Sequence, residues 1–253
     1  VFCVTDLLIH LAGEQMEKKA GKVIEGENLD ILFGSKKLKD KDKDAVKAGV
    51  LEILKEQYDI EEEDFISAEL EIVPAGHARE AGIDRSMIMA YGQDDRVCAY
   101  TSLMAMLDVD KVEKTTCCLL TDKEEIGSVG ATGMRSMFFE NTVAEIMNAL
   151  GEFNELSLRR CLAKSSMLSS DVNAAYDPLF ASAFDKNNAS YFGRGMVFSK
   201  FTGSRGKSGS NDANAEYIAR IRNMMDQNDI CYQTAELGKV DVGGGGTIAY
   251  ILS

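Results

Sequence analysis

The chain has 253 residues, and 45% of them are hydrophobic, which is enough to bury the core of one large domain or two small ones. It carries 28 Lys and Arg against 41 Asp and Glu, so its formal net charge is −13. This balance argues against a nucleic-acid binder, because phosphate contacts require clustered basic side chains. No apolar run approaches the roughly 18 residues of a membrane-spanning helix, and no basic leader with a cleavage site is visible.

Six cysteines occur, and none of them forms a C-x-x-C motif. Cys117 and Cys118 are neighbours on a predicted strand, where successive side chains face opposite ways. This usage is typical of buried free thiols in a reducing compartment rather than of disulfides or a structural zinc site. We therefore expect a cytoplasmic protein that meets neither membranes nor nucleic acids.

The first half of the chain contains the following predicted elements. Apolar residues at near-helical spacing predict a helix over residues 5–20, and a charged loop follows at 34–44. A one-sided apolar pattern predicts a helix over 45–58. Alternating residues predict a half-buried strand over 64–74, and residues 86–107 are typical of a strand, a polar loop and a helix.

The second half continues the alternation of strands and helices. Residues 115–120 predict a buried strand with an exit loop, and 136–150 predict a helix. A second apolar strand is predicted over 161–175, a helix over 211–225, and a glycine turn at 242–246 leads into an apolar element. Such alternation predicts a three-layer α/β/α domain, in which reactive groups collect at the carboxyl ends of the strands.

Acidic residues follow three of the predicted strands. They are Asp94 and Asp95, Glu124 and Glu125, and Asp171. Grouped together, these carboxylates would raise one another's pKa, and a divalent cation would relieve the repulsion. Carboxylates alone suit Mg²⁺ or Mn²⁺, and with imidazole they suit Zn²⁺. The alternative is that each pair caps a helix or lies free in solvent.

Glu124 and Glu125 are adjacent in an exit loop, where neighbouring side chains can point at different targets. If a metal is present, one of them can bind it while the other takes a proton from the metal-activated water. A carboxylate held near such a centre can have its pKa matched to proton transfer.

The segments "QDDR", "DKEEIGSVG", "SSDVNAAYDP" and the glycine turn before "TIAYIL" resemble the two-metal aminopeptidases in order and spacing. The chain is most similar to the aspartyl aminopeptidase and vacuolar aminopeptidase I family, in a bacterial form, over nearly all its length. The resemblance implies a zinc-peptidase-like α/β/α domain with a mostly parallel mixed sheet over residues 1–253. It also implies a homo-oligomer, a dodecamer if the family pattern holds.

The resemblance implies a role for each acid. Asp94 matches the aspartate that bridges two metal ions, Glu125 matches a ligand of one ion, and Asp171 matches a ligand of the other. Glu124 matches the general base, and Asp95 follows the bridging acid as a structural neighbour. The two ions implied are zinc, with manganese and cobalt as alternatives.

Some features of the family are not found in these residues. Its first histidine motif, H-x-D, its inserted β domain and its C-terminal histidine segment have no counterpart here. The histidine that some relatives carry after the third acid is also missing, with Ala174 and Asp177 in that region, so specificity for acidic substrates is open. We expect the 253 residues alone to be inactive, because too few ligands remain for either ion.

The remaining candidates are two histidines and a polar loop. In relatives a histidine in an "IHL" context reaches the neighbouring subunit's active site, so His10 is a substrate-site candidate as well as a structural histidine. His77 reads as a surface residue. The loop "GSRGKSGS" lacks the first glycine of a phosphate-binding loop, since Phe201 stands there, but Lys207 or Arg205 could meet a substrate carboxylate.

Together these patterns predict a metallo-aminopeptidase that releases N-terminal residues from peptides. The main alternative is a non-catalytic scaffold or assembly homologue that keeps the fold without the metals. A weaker one is a magnesium phosphohydrolase, which no glycine-rich phosphate loop supports. A decayed site would not be expected to keep the base Glu124 beside the ligand Glu125, which favours the enzyme.

Overall fold

The structure is a computed structural model, and it describes residues 1–201, 203, 212–245 and 248–252. The chain divides into two compact units, Val1–Tyr91 and Gly92–Ser253. No helix in these described ranges is long and apolar enough to cross a membrane.

Helices and short strands alternate along both units. The α-helices are α1 (Gly13–Met16), α2 (Ala45–Tyr58), α3 (Gln93–Leu107), α4 (Phe138–Ala149), α5 (Glu155–Ala163), α6 (Ala215–Gln227) and α7 (Ala249–Leu252). The strands are β1 (Cys3–Val4), β2 (Ile31–Leu32), β3 (Arg79–Ala81), β4 (Met87–Met89), β5 (Met196–Phe198) and β6 (Tyr232–Thr234). Short 3-10 helices occur at Ile9–Leu11, Ala20–Lys22, Gly26–Asn28, Glu62–Ile66, Glu124–Ile126 and Pro178–Ala183.

The longest helix of the first unit, α2, confirms the prediction over residues 45–58. Aspartates in the left-handed conformation bound it at both ends, Asp44 with φ 53° and Asp59 with φ 56°. The segment before the helix folds back on it, since the amide of Leu38 donates to the carbonyl of Ala45 at 2.8 Å. The one-sided apolar pattern is sufficient to specify this helix.

Two sequence predictions in this unit are wrong. The helix expected over residues 5–20 is broken into a 3-10 turn and the four-residue α1, and Leu8 and Leu11 stay exposed, so little packing supports a longer helix. The strand expected over 64–74 begins instead as the 3-10 helix Glu62–Ile66 and forms no ladder in the described chain. The hairpin of this unit lies later, where β3 pairs antiparallel with β4.

In the second unit the helices predicted near 96–107, 136–150 and 211–225 are confirmed as α3, α4 and α6. The strand predicted over 161–175 is wrong, because residues 161–163 end helix α5 and the remainder forms only an isolated bridge at Ala175. Asn154 caps α5 by accepting from the amide of Ser157 at 2.9 Å, and Leu158 packs inward with 4% exposure. The cap therefore outweighs the apolar run that suggested a strand.

The strands of the described residues form three separate pairs rather than one mostly parallel sheet. β1 pairs antiparallel with β2 and β3 with β4, whereas β5 and β6 are parallel. Beside that parallel pair the backbones approach closely, and a Cβ on Gly195 would lie 2.2 Å from the carbonyl oxygen of Cys231. The predicted strand over 115–120 pairs with no strand in the described part of the chain. Mixed helix and strand is nonetheless the α/β class that the alternation predicted.

Candidate metal centre

Asp94 and Asp95 lie at the start of α3, where the backbone is not yet helical. Gly92 turns the chain with φ 74°, and the aspartates follow with φ/ψ of −85°/112° and −116°/35°. The helix is tied to the turn because the amide of Arg96 donates to the carbonyl of Gly92 at 3.1 Å. Both aspartate side chains are thus carried by a turn before the first regular helical turn, as the predicted loop after β4 requires.

Glu124 and Glu125 form a single turn of 3-10 helix between two left-handed residues, Lys123 with φ 66° and Gly127 with φ 99°. The amide of Gly127 closes the turn by donating to the carbonyl of Glu124 at 3.0 Å. Since a 3-10 helix has three residues per turn, successive side chains are rotated by about 120°. Adjacent glutamates in this turn therefore point in different directions, as two different roles would require.

The loop after the two glutamates closes tightly on itself. Asp122 and Gly133 form an isolated parallel bridge, and Ser128 is 3% exposed inside the loop. A Cβ on Gly133 would lie 2.2 Å from the carbonyl oxygen of Ser128, closer than any real Cβ contact. Glycine is therefore required at position 133 for the loop to bring its two ends together.

Asp171 lies in an irregular segment rather than at the end of a regular strand, and it is half-buried. Burial raises the pKa of Asp171, and the amide of Val172, which donates to the carboxylate at 2.7 Å, opposes that rise. On either side, the hydroxyl of Ser169 and both amide atoms of Asn173 are buried and have no hydrogen-bond partner among the described residues. Polar groups around this acid are thus left with unused hydrogen-bonding capacity.

The five carboxylates come from three separate segments, and burial together with their charges raises the pKa of Asp95, Glu124 and Asp171. Partial desolvation raises the pKa of Glu124, and the charges of Asp171, Glu125, Asp94 and Asp95 raise it further. After burial, the charges of Asp94, Asp95 and Glu125 also raise the pKa of Asp171. Desolvation and then the charge of Asp94 raise the pKa of Asp95. The structure therefore brings together all five acids that the sequence pattern selected.

Cys98 also lies beside this acid cluster, and the sequence analysis did not select it. Burial raises the pKa of its thiol, and the charges of Asp95, Asp171 and Asp94 raise it further. Its position close to the two aspartates at the start of α3 was the available signal.

The chemistry of the cluster suits a divalent cation. Its donors are carboxylate oxygens, each charge that shifts their pKa is a like charge, and a bound cation would reverse that repulsion. Within the described ranges, no three His, Cys, Asp or Glu side chains are already arranged to hold a metal ion. The donor types therefore fit a metal, whereas the spacing found here is wider than direct coordination by three side chains.

The remaining candidates are the two histidines and two basic residues of a polar loop. His10 lies in the 3-10 turn Ile9–Leu11 and His77 in an irregular stretch, both exposed and both in the unit Val1–Tyr91. Lys207 and Arg205 lie outside the described residues.

The ordered set of acids and turns matches one family over the whole chain. The family described as aminopeptidase I zinc metalloprotease, M18, matches residues 1–253. The chain belongs to the M18 family. The resemblance seen in the sequence is confirmed, and the non-catalytic alternative is not favoured by any relative's description.

Close relatives of this M18 chain are bacterial. An M18 family aminopeptidase 1 of Clostridium acetobutylicum is 62% identical over 254 residues, which cover 100% of this chain and 55% of that protein. The corresponding protein of Borreliella afzelii is 47% identical over 257 residues, covering 100% of this chain and 56% of that protein. The chain therefore spans about half the length of the curated relatives that it matches.

Solved structures of the family share this fold. The crystal structure of an M18 aminopeptidase from Thermotoga maritima matches with a TM-score of 0.91 and 45% identity, covering 99% of this chain and 55% of that one. Aminopeptidase I from Clostridium acetobutylicum matches with a TM-score of 0.87 and 62% identity, covering 99% of this chain and 54% of that one. The prediction of an α/β fold of the zinc-peptidase type is thereby confirmed.

Proposed function

We propose that this chain is the acid-bearing part of a metallo-aminopeptidase that releases N-terminal residues from peptides. The observation that carries the proposal is that burial, together with the charges of carboxylates from three separate segments, raises the pKa of Glu124 and of the half-buried Asp171. In a chain of the M18 family, described as zinc metalloproteases, such a cluster supports hydrolytic rather than scaffolding work.

Three of the acids would hold zinc. Asp94 would bridge two ions, Glu125 would bind one of them and Asp171 the other. Two ions suit this cluster better than one, because five carboxylates carry more negative charge than a single divalent cation offsets. Manganese and cobalt, which accept similar donors, are the alternative metals. When bound, the ions would supply a Lewis acid for the peptide carbonyl.

Glu124 would act as the general base and acid. It would take a proton from the attacking water and give it to the leaving amine. An effective base has a pKa closer to the working pH than that of a free carboxylate, and the pKa of Glu124 is raised by desolvation and its neighbours. Asp95, next to Asp94, would hold the start of α3 in place.

Asp171 would depend on its flanking residues. The unpartnered polar atoms of Ser169 and Asn173 lie within two positions of it. Buried polar groups without partners are costly, so these atoms would be expected to gain partners when the site is loaded. His10, in the exposed "IHL" turn, and Lys207 remain substrate-site proposals.

We also propose a cytoplasmic homo-oligomer, a dodecamer if it follows the family. Six free cysteines support a reducing compartment. Large apolar side chains such as Phe138 at 66% exposure and Leu150 at 68% support burial against further protein. These residues lie on and just after α4, whose apolar face would be stabilised by burial rather than by exposure to water.

The 253 residues alone would bind zinc weakly and be inactive, as a partial catalytic domain. The cluster contains oxygen donors, and the histidine motifs that the family resemblance implies as ligands have no counterpart in these residues. Without imidazole, neither ion would have the usual donor set of a catalytic zinc site.

The experiment compares the protein expressed from its complete gene with the 253-residue chain. We expect about two equivalents of zinc and hydrolysis of amino-acid anilides in the former, with both lost to a chelator and restored by zinc. Tight zinc and clear turnover in the 253-residue chain would show that the ligands are misassigned. Full activity without metal would reject the proposed function, and the absence of both zinc binding and hydrolysis would favour the scaffold.

A further inference from the structure

Arg135 makes several contacts with the turn that carries the two glutamates. Its Nε donates to the carbonyl of Gly127 at 3.2 Å, and its backbone amide donates to the carbonyl of Ser128 at 3.1 Å. Its Nη2 donates to the hydroxyl of Tyr250 at 2.7 Å. The guanidinium also lies over the ring of Tyr250, with Cζ 5.4 Å from the centroid. One side chain thus joins two segments that are 115 residues apart.

The glutamate turn has little packing of its own. Ile126 is 74% exposed, and a Cβ added to Gly127 would meet nothing within 4 Å. Its conformation therefore depends on hydrogen bonds, chiefly those that the amides of Gly127 and Ser128 make to Glu124 and Lys123. A donor on the Gly127 carbonyl restrains the end of the turn that these bonds leave open.

We propose that Arg135 is a positioning residue for Glu124 and that Tyr250 on α7 holds Arg135 in the required direction. The inference rests on the proposed function, because Glu124 is taken as the general base. Arginine suits the role better than lysine, since its rigid fork can donate to Gly127 and Tyr250 at once while its charge lies near the ring.

The physical consequence concerns turnover more than substrate binding. A base displaced by about 1 Å from its proton can lose roughly 10²-fold in rate, while the substrate still binds through other contacts. In protein loaded with zinc, loss of Arg135 is therefore expected to lower kcat with little change in KM. A merely structural arginine would lower thermal stability without this split.

The chain contains a matched control pair. Arg222 on α6 donates from Nε to the hydroxyl of Tyr232 on β6 at 3.1 Å, with Cζ 5.8 Å from the ring centroid. This pair has the same chemistry as Arg135 and Tyr250, and it bridges a helix and a strand away from the glutamate turn.

The test uses the zinc-loaded protein from the complete gene. In Arg135→Gln we expect kcat to fall about 10- to 100-fold, in Arg135→Lys somewhat less, and in Tyr250→Phe about threefold to tenfold. Hydrogen exchange at the amides of Gly127 and Ser128 should become about tenfold faster in the same variants. Arg222→Gln and Tyr232→Phe should leave both measurements near the parent values.

The outcomes separate this inference from the proposed function. Unchanged kcat and exchange in all Arg135 and Tyr250 variants, or equal effects in the control pair, would overturn it. If Arg135→Gln fails to fold, Tyr250→Phe decides the question, because it removes only the hydroxyl. If the parent protein hydrolyses no aminoacyl substrate, the proposed function fails, whereas the exchange measurement still decides whether Arg135 restrains the turn.

Discussion

The side chain of Gln233 hydrogen-bonds to the backbone of Tyr191 in the way that a neighbouring strand would. The amide of Tyr191 donates to Oε1 at 2.9 Å, and Nε2 donates to the carbonyl of Tyr191 at 3.0 Å and to that of Gly195 at 3.3 Å. Next to Tyr191, Ser190 is bridged to Ala175, four residues after Asp171. A glutamine on β6 therefore helps to fix the segment that leads back to Asp171.

These hydrogen bonds predict that removing the side-chain amide of Gln233 lowers the stability of the protein. Gln233→Ala should lower the free energy of unfolding by about 1–3 kcal/mol, because backbone groups at Tyr191 lose their partners. Urea unfolding measures it, with the exposed Gln227→Ala on the last turn of α6 as the control. Equal stability of the two variants would show that the pairing contributes nothing.

The two glutamates should respond differently to loss of charge. Glu124→Gln should keep zinc but lose about 10²–10⁴ in kcat, because only proton transfer is removed. Glu125→Gln and Asp94→Ala should lose zinc as well as activity. Zinc analysis with anilide kinetics distinguishes them, and loss of zinc from Glu124→Gln but not from Glu125→Gln would reverse the two roles.

A methyl group at position 133 should open the loop that follows Glu124 and Glu125. In Gly133→Ala the new Cβ would lie 2.2 Å from the carbonyl oxygen of Ser128. Such overpacking should lower the free energy of unfolding by about 1–3 kcal/mol. Turnover should fall with it. Gly26→Ala, which meets nothing within 4 Å, should be tolerated in the same thermal and kinetic assays.

The C-terminal end of α2 should show a defined pH dependence. The hydrogen bond and charge of Lys55 lower the pKa of Asp59, and Asp59 and Glu61 in turn raise the pKa of Lys55. Because the carboxyl pKa is lowered, its stabilisation is present above the ordinary value of 3.8 and is lost as pH falls through the lowered pKa.

At high pH the change in stability depends on Lys55. Its contribution is complete below the ordinary value of 10.5 and is lost as pH rises through the raised pKa. An NMR titration of Asp59 should show its pKa return upward in Lys55→Gln, with the exposed Lys43→Gln as control. An Asp59 pKa that is the same in both variants would contradict the pairing.

The sequence by itself determined the features that depend on local pattern. Apolar residues at helical spacing predicted α2, α4 and α6, because one-sided hydrophobicity favours a helix. The motifs around Asp94, Glu124 and Asp171 identified both the family and the acids that form the cluster. The residue types also indicated a metal site, since a bound cation offsets the repulsion between clustered carboxylates.

Tertiary structure decided the features that depend on distant partners. Residues 161–163 end a helix because Asn154 caps it and Leu158 packs inward, and residues 115–120 form no strand ladder because an apolar run becomes a strand only beside a partner. The contact of Arg135 with Tyr250 joins positions 115 residues apart, and no local pattern encodes it. Pairing, close approach and charge coupling are properties of distance in space, which only the folded chain defines.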